Sequence, residues 1–104
     1  MAISMFPITG SVAANGNLTV RVRPTNRQTW IVSQVSVEMA GAPLAAACAV
    51  RYNGSLVSPL VPQADAASGD PPVKLGPNDV LTVEWTGCTP GIVGRVLLIY
   101  DDGN

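Results

Sequence analysis

Lys74-Leu-Gly-Pro-Asn-Asp-Val-Leu-Thr-Val-Glu-Trp85 reads as the end of one strand, a four-residue corner and the start of the next. Gly76-Pro77-Asn78-Asp79 carries turn chemistry: Pro77 fixes φ, Gly76 tolerates any φ, and the Asn and Asp side chains bond nearby backbone. Behind the corner, Leu81, Val83 and Trp85 alternate with Val80, Thr82 and Glu84. A period of two residues is the mark of a strand with one buried face.

Working outward, the same grammar repeats. Residues 4–9 form a first strand, and Pro7 places it at an edge because proline donates nothing to a ladder. Asn15-Gly16 between residues 12–14 and 17–23 predicts a type I′ hairpin, with Leu18, Val20 and Val22 inward and Thr19, Arg21 and Arg23 outward. Residues 24–27 break that strand. Residues 29–39 form a long one, with Ile31, Val35, Val37 and Met39 on one face and Trp30, Val32, Gln34 and Glu38 on the other. After a corner at 40–43, residues 44–52 are alanine-rich yet uncapped, and Asn53-Gly54 behind them predicts a second I′ hairpin into residues 55–61. Residues 62–72 read as the longest loop, small and polar, of a length often used for binding. Residues 73–75 and 80–86 flank the opening corner. Gly87 to Gly91 turns the chain into a last strand at 92–101, and residues 102–104 are a tail.

Eight short strands without a credible helix predict an all-β, antiparallel β-sandwich of eight-stranded jelly-roll type, one domain over residues 1–104. Residues 1–8 are also open to a second use, as an extended N-terminal arm.

Composition narrows function more than any motif does. Hydrophobic residues make up 47% of the 104, but only one Phe, two Tyr and two Trp are among them, so the core is built from small side chains. Charged residues make up 12%, about half the usual share. A surface that poor in charge is sticky or covered by neighbours. The net charge of −1 gives no basis for binding nucleic acid. No run approaches the roughly 18 apolar residues of a membrane span. The first residues carry no basic, signal-like start, so synthesis in a cytoplasm is expected.

The chain has no His, which removes the commonest general base and metal ligand. No nucleotide or nucleophile motif is present. Glu38 and Glu84 are the carboxylates to test as a glycosidase-like pair, although a solvated face explains each. Asp65, Asp70, Asp101 and Asp102 lack the spacing of a calcium loop. No enzyme activity, cofactor or metal is therefore expected. Cys48 and Cys88 are expected as free thiols, a small buried hydrophobe and a corner residue, with a bridge between them as the alternative. Trp30, Tyr52, Trp85 and Tyr100 are candidates for a sugar-stacking platform, but core duty is the stronger expectation where aromatics are so few.

The segments Trp30-Ile-Val-Ser-Gln-Val-Ser-Val37, Tyr52-Asn-Gly54 and Leu75-Gly-Pro-Asn-Asp-Val-Leu-Thr-Val-Glu-Trp-Thr-Gly87 resemble small β-sandwich virion proteins of tailed bacteriophages. The Leu-x-Pro-x-Asp-x-Leu corner is similar to that of jelly-roll modules in head-decoration, tail and fibre proteins. The resemblance implies a non-enzymatic virion structural protein, foremost a capsid decoration protein, that self-associates, with a trimer favoured, and docks on the major capsid protein or another virion protein. A tail-tip or fibre receptor-binding module, or a carbohydrate-binding lectin-like sandwich with a glycan ligand, is the alternative. Met1, Ile3, Met5 and Phe6 of the apolar N-terminal segment, with Arg21, Arg23 and Arg27 of a small basic stripe, are the expected protein-interface residues.

Overall fold

The opening corner is built as its residues require. In the computed structural model, which describes residues 3–24 and 28–101, with side chains described for 7–24, 28–67 and 73–101, Asp79 N–H donates to Gly76 O at 3.1 Å. Asp79 Oδ2 in turn accepts from Gly76 N–H at 2.7 Å. The turn is closed from both ends. A Cβ on Gly76 would come within 3.3 Å of that same carboxylate oxygen.

Among the described residues there are eight strands and no helix: β1 Ile3–Ser11, β2 Leu18–Val22, β3 Trp30–Glu38, β4 Ala47–Tyr52, β5 Ser55–Leu60, β6 Ala64–Leu75, β7 Leu81–Thr86 and β8 Val93–Asp101. They form two four-stranded sheets, ordered β1-β8-β3-β6 and β2-β7-β4-β5, with neighbouring strands antiparallel throughout. The first strand pairs with the eighth, the second with the seventh, the third with the sixth and the fourth with the fifth. Successive pairs fall in alternate sheets, which is the winding of a jelly roll.

The core lies between the sheets. Leu18, Val20 and Val22 of β2, Val50 of β4, Leu81, Val83 and Trp85 of β7, and Val96 and Leu98 of β8 are all buried, while the alternate residues Thr19 and Arg21 are exposed. Each tryptophan seals one region. Trp85 is fully buried and donates from Nε1 to Pro62 O at 3.2 Å. Trp30 stacks on Tyr100 with ring centroids 4.1 Å apart and donates from Nε1 to Gln28 Oε1. Cys48 and Cys88 are buried free thiols, as expected. Burial, then the neighbouring Cys88, pushes the Cys48 thiol up to about 12. Such a thiol stays protonated and inert.

Five local expectations need correction. Asn15-Gly16 does not make a type I′ hairpin: Gly16 has φ +84° but Asn15 does not adopt a positive φ. The turn carries the chain from one sheet to the other, with Asn15 Oδ1 accepting from Asn17 N–H at 3.0 Å. Asn53-Gly54, with φ of +50° and +89°, is the I′ turn predicted. Second, the face assignment in β3 holds for Val35, Val37 and Met39 but reverses before them, where Trp30 and Val32 are buried and Ile31 is half-buried. A bulge between Val32 and Gln34 adds one residue, Ser33, and flips the phase.

Third, residues 62–72 are not a loop, because most of them belong to β6. Its register on β3 jumps from Gln34↔Ser68 to Val32↔Val73, so the four intervening residues of β6 face one extra residue of β3. The two prolines, Pro71 and Pro72, fall in that jump on an edge strand, where a missing N–H breaks no ladder. Fourth, the N-terminal segment is not a free arm: the backbone of β1 is paired along its length with β8, from Ile3↔Asp101 to Ser11↔Val93. Fifth, the strand expected over 44–52 starts only at Ala47. Ala46 N–H closes a turn onto Pro43 O, leaving Leu44 outside with 98% of its surface exposed.

Candidate interaction surface

The two expected carboxylates do not meet. Glu38 is on the outer face of β3 in one sheet and Glu84 on the outer face of β7 in the other. The whole sandwich separates them. Glu84 instead pairs with Arg51, Nε to Oε1 at 2.7 Å, with the two side chains 40% and 37% exposed. A pair that open to water contributes about 0–1 kcal/mol. Among the described residues no three or more metal-ligating side chains converge. Asp65 and Asp101 stand near opposite ends of the sheet, since Asp65 pairs with Val37 and Asp101 with Ile31 on the same strand. Of the four aromatic candidates Trp30 and Tyr100 stack on each other, while Trp85 lies in the other sheet and both tryptophans are buried in the core.

A polar cluster does form at the corner. Tyr52 Oη lies 2.8 Å from Asp79 Oδ2 and 3.0 Å from Lys74 O, and donates to one of them at a time. Asn53 Nδ2 donates to Asp79 Oδ1 at 2.9 Å, and Asn53 Oδ1 accepts from Val80 N–H at 2.8 Å. The Asn53 amide, then the Gly76 N–H and the Tyr52 hydroxyl, hold the Asp79 carboxyl below its usual range, while the hydrogen bond to Asp79 raises the Tyr52 phenol. Every member bonds within the cluster, so its work is to pin the β4–β5 hairpin to the corner.

That clamp gives a pH-dependent prediction. A carboxyl whose folded pKa is depressed contributes stability above its unfolded value, lost as pH falls through the folded one. The advantage of the natural chain over Asp79→Asn is therefore expected in full at neutral pH and should shrink below the unfolded value of 3.8. Urea unfolding of both proteins from pH 7 to pH 2 checks this, and a gap independent of pH would contradict it.

Two sides of the sandwich remain open. On one, the edge strands β1 and β2 are in contact. Because the chain reverses between them, the end of β2 that carries Arg21 and Arg23 lies toward the start of β1. Both arginines are exposed. The structure thus brings the backbone of residues 3–6 and this basic stripe to one side of the fold. Met1 and Arg27 lie outside the described residues, as do the side chains of Ile3, Met5 and Phe6.

On the opposite side β5 and β6 leave the sandwich ajar. A cleft of about 390 Å³ runs between the sheets there. Its floor is Val32, Val35, Val50 and Leu81, and its walls include Ser33, Gln34, Val57, Ser58, Ala67 and Val73. Val57 in its wall is 46% exposed, Leu56 before it 57%, and Val61 beyond β5 53%. Sequence reasoning missed this cleft. Its cause is the bulge in β3 and the jump in β6, and only the Pro71-Pro72 pair hinted at an irregular edge.

No family model and no curated protein matches the sequence. Among solved structures, the chain is similar to a crystal structure of FLHE, at 14% identity and a TM-score of 0.58, over 96% of this chain and 98% of that one. At that identity the likeness is one of fold alone. It also overlays part of dimeric latent PorU from Porphyromonas gingivalis, at 11% identity and a TM-score of 0.37, covering 98% of this chain but 13% of PorU. A match at that score carries no argument.

Proposed function

We propose that this chain is a non-enzymatic virion structural protein of a tailed bacteriophage, a capsid decoration protein that self-associates and docks on the lattice of the major capsid protein. The sequence resemblance supports the setting. The observation that carries the reading is apolar exposure on a charge-poor surface: Leu44, Leu56, Val61 and Val93 each have more than half their surface exposed, in a chain with 12% charged residues. Water-facing apolar groups in that number favour burial against other subunits. A symmetric trimer covers them and, around a lattice axis, multiplies a weak contact into avid binding.

The paired backbone of β1 changes how the N-terminal segment takes part. Its contribution to the lattice contact comes from the free edge of β1, beside Arg21 and Arg23, by adding to a neighbouring sheet. The virion is the corresponding location, after synthesis in the host cytoplasm.

The test combines sedimentation of the pure protein with its retention on purified capsids and on purified tails. An oligomer that is retained on capsids and weakened by Arg21→Glu with Arg23→Glu is expected. Retention on tails alone would move the protein to the tail-tip reading. A monomer retained on neither would overturn both.

A further inference from the structure

We infer that the outer face of the β1-β8-β3-β6 sheet packs against the same face of a second copy of this chain, about a twofold axis that crosses the strands. This goes beyond the self-association proposed above, whose lattice contact lies at the edge of β1 beside Arg21 and Arg23. Twofold and threefold contacts on different surfaces combine in dihedral assemblies, so the two are compatible.

The first observation is the composition of β8. Across the middle of the sandwich the other interior strands turn small or polar residues outward: Thr82 and Glu84 of β7, Ala49 and Arg51 of β4, Gln34 and Ser36 of β3. β8 instead runs Val96-Leu-Leu-Ile-Tyr100. Val96 and Leu98 lie in the core with no exposed surface, so Leu97 and Ile99 stand on the outer face, where both are half-buried. A strand that is apolar on both faces is the pattern of one covered on both faces. The second sheet covers only the inner one.

Charge names the cover. Arg95 stands beside Glu38 at one end of the face, and at the other Asp101 stands beside Ile31, with Lys74 of β6 next to it. Each end thus carries one positive and one negative group. Arg95 and Glu38 are exposed and opposed in register, yet form no ion pair with each other. Between the ends lie two uncharged rows, Leu97 with Ser36 and Ile99 with Gln34. A twofold axis across the strands between these rows lays β8 antiparallel over its own copy. Leu97 then meets Ile99 of the second copy, Ser36 meets Gln34, and Arg95 meets Asp101, each contact occurring twice. Apolar groups face apolar, polar face polar, and opposite charges meet at both ends.

The outer face of the other sheet has no such match. It carries Arg21, Arg23 and Arg51 against Glu84, which Arg51 already holds. A copy laid on it would bring an excess of positive charge against itself.

Area is sufficient. Four strands spaced by about 4.8 Å and nine residues rising about 3.3 Å each span a face of about 570 Å², or about 1,100 Å² for two copies. A specific interface needs about 1,000 Å². Ser36 and the exposed Ala66 beside it are small, which lets two sheets approach to the usual spacing of about 10 Å.

The experiment is sedimentation equilibrium of the full chain, with a reversible dimer expected. Arg95→Asp alone and Asp101→Arg alone should each weaken it about tenfold or more, because each sets like charges together twice. Mixing the two variant chains should restore association to within about threefold of the natural value, since the mixed pair again joins opposite charges at both ends. Arg95 and Asp101 lie on one strand about 20 Å apart, so only contact between chains explains that rescue. Leu97→Glu changes an outer-face residue and should lower dimer affinity more than tenfold while leaving urea unfolding of the dilute chain nearly unchanged. A natural chain that stays monomeric to the limit of its solubility, a dimer that Leu97→Glu leaves intact, or mixed variants that stay monomeric would overturn the inference. An oligomer retained on capsids that responds to Arg21→Glu with Arg23→Glu but not to Leu97→Glu defeats the twofold contact and leaves the proposed function standing. A dimer that passes these tests but is retained on neither capsids nor tails defeats the proposed function instead.

Discussion

Val83→Asp is expected to remove about 4 kcal/mol or more of stability, close to all that a chain of this size commands. β7 lies between β2 and β4, and Val83 pairs with Val20 on one side and Val50 on the other. Exposure at the three positions is 0%, 4% and 1%. The neighbouring charges offer no relief, since Glu84 and Arg51 point to the outer face and are engaged with each other. An aspartate there has two courses, to stay ionised without a partner or to take up a proton, and both cost free energy. The second fixes the pH dependence. Burial raises the folded pKa of such a carboxyl, so the penalty is fully present at neutral pH and is relieved as pH falls below that raised value. Val83→Thr separates polarity from charge: nearly the same shape, one unsatisfied hydroxyl and an expected loss of about 1–3 kcal/mol. Urea unfolding of the three proteins at pH 7 and pH 5 measures both effects. Wild-type-like melting of Val83→Asp would place Val83 on the wrong face of β7.

The period-two signal was legible wherever a strand kept one phase. Leu18, Val20 and Val22, then Leu81, Val83 and Trp85, then Val96 and Leu98 are all buried as their alternation requires. The signal failed where the backbone changes phase without a residue type that announces it. Ser33 is an ordinary strand residue, yet as the extra residue of a bulge it turns Trp30 and Val32 inward and Ile31 outward. Residues 62–72 lack the alternation of large apolar residues that marks a half-buried strand, yet most of them pair with β3 as part of the edge strand β6. The cleft arises from these same two irregularities. A site made by the absence of regular packing leaves no motif, so its lining of valines, alanines and serines reads as plain strand. The proposed interface rests on composition and resemblance, and the pairing of β1 with β8 follows from topology that local sequence does not contain.

Gly94→Val is expected to cost about 3 kcal/mol, while Gly94→Ala costs about 1. The backbone at Gly94 is ordinary strand, so the constraint is space. A Cβ there would come within 2.7 Å of Leu18 Cδ2, 2.9 Å of Met39 Cε and 3.3 Å of Trp85 Cη2. Opposite it in β1 stands Gly10, whose Cβ would meet Leu18 Cδ1 at 3.0 Å. The two glycines leave a slot that Leu18 and the edge of the Trp85 ring occupy from the facing sheet. With alanine, the methyl ends of Leu18 and Met39 must shift, and both are the far ends of flexible side chains. The entropy gained by removing a strand glycine, about 0.5–1 kcal/mol, offsets part of that strain. Valine adds two further methyl groups against a ring whose Nε1 is tied to Pro62 O. The ring has no free direction, and overpacking of a tight core typically costs 1–3 kcal/mol. Coupling to Leu18 makes the test specific. Leu18→Ala alone should destabilise by leaving a cavity, yet in the Gly94→Val background it should cost much less, because valine takes up the vacated space. Additive losses in that double-mutant cycle, or equal stability of the alanine and valine variants, would show that the slot does not determine the glycine.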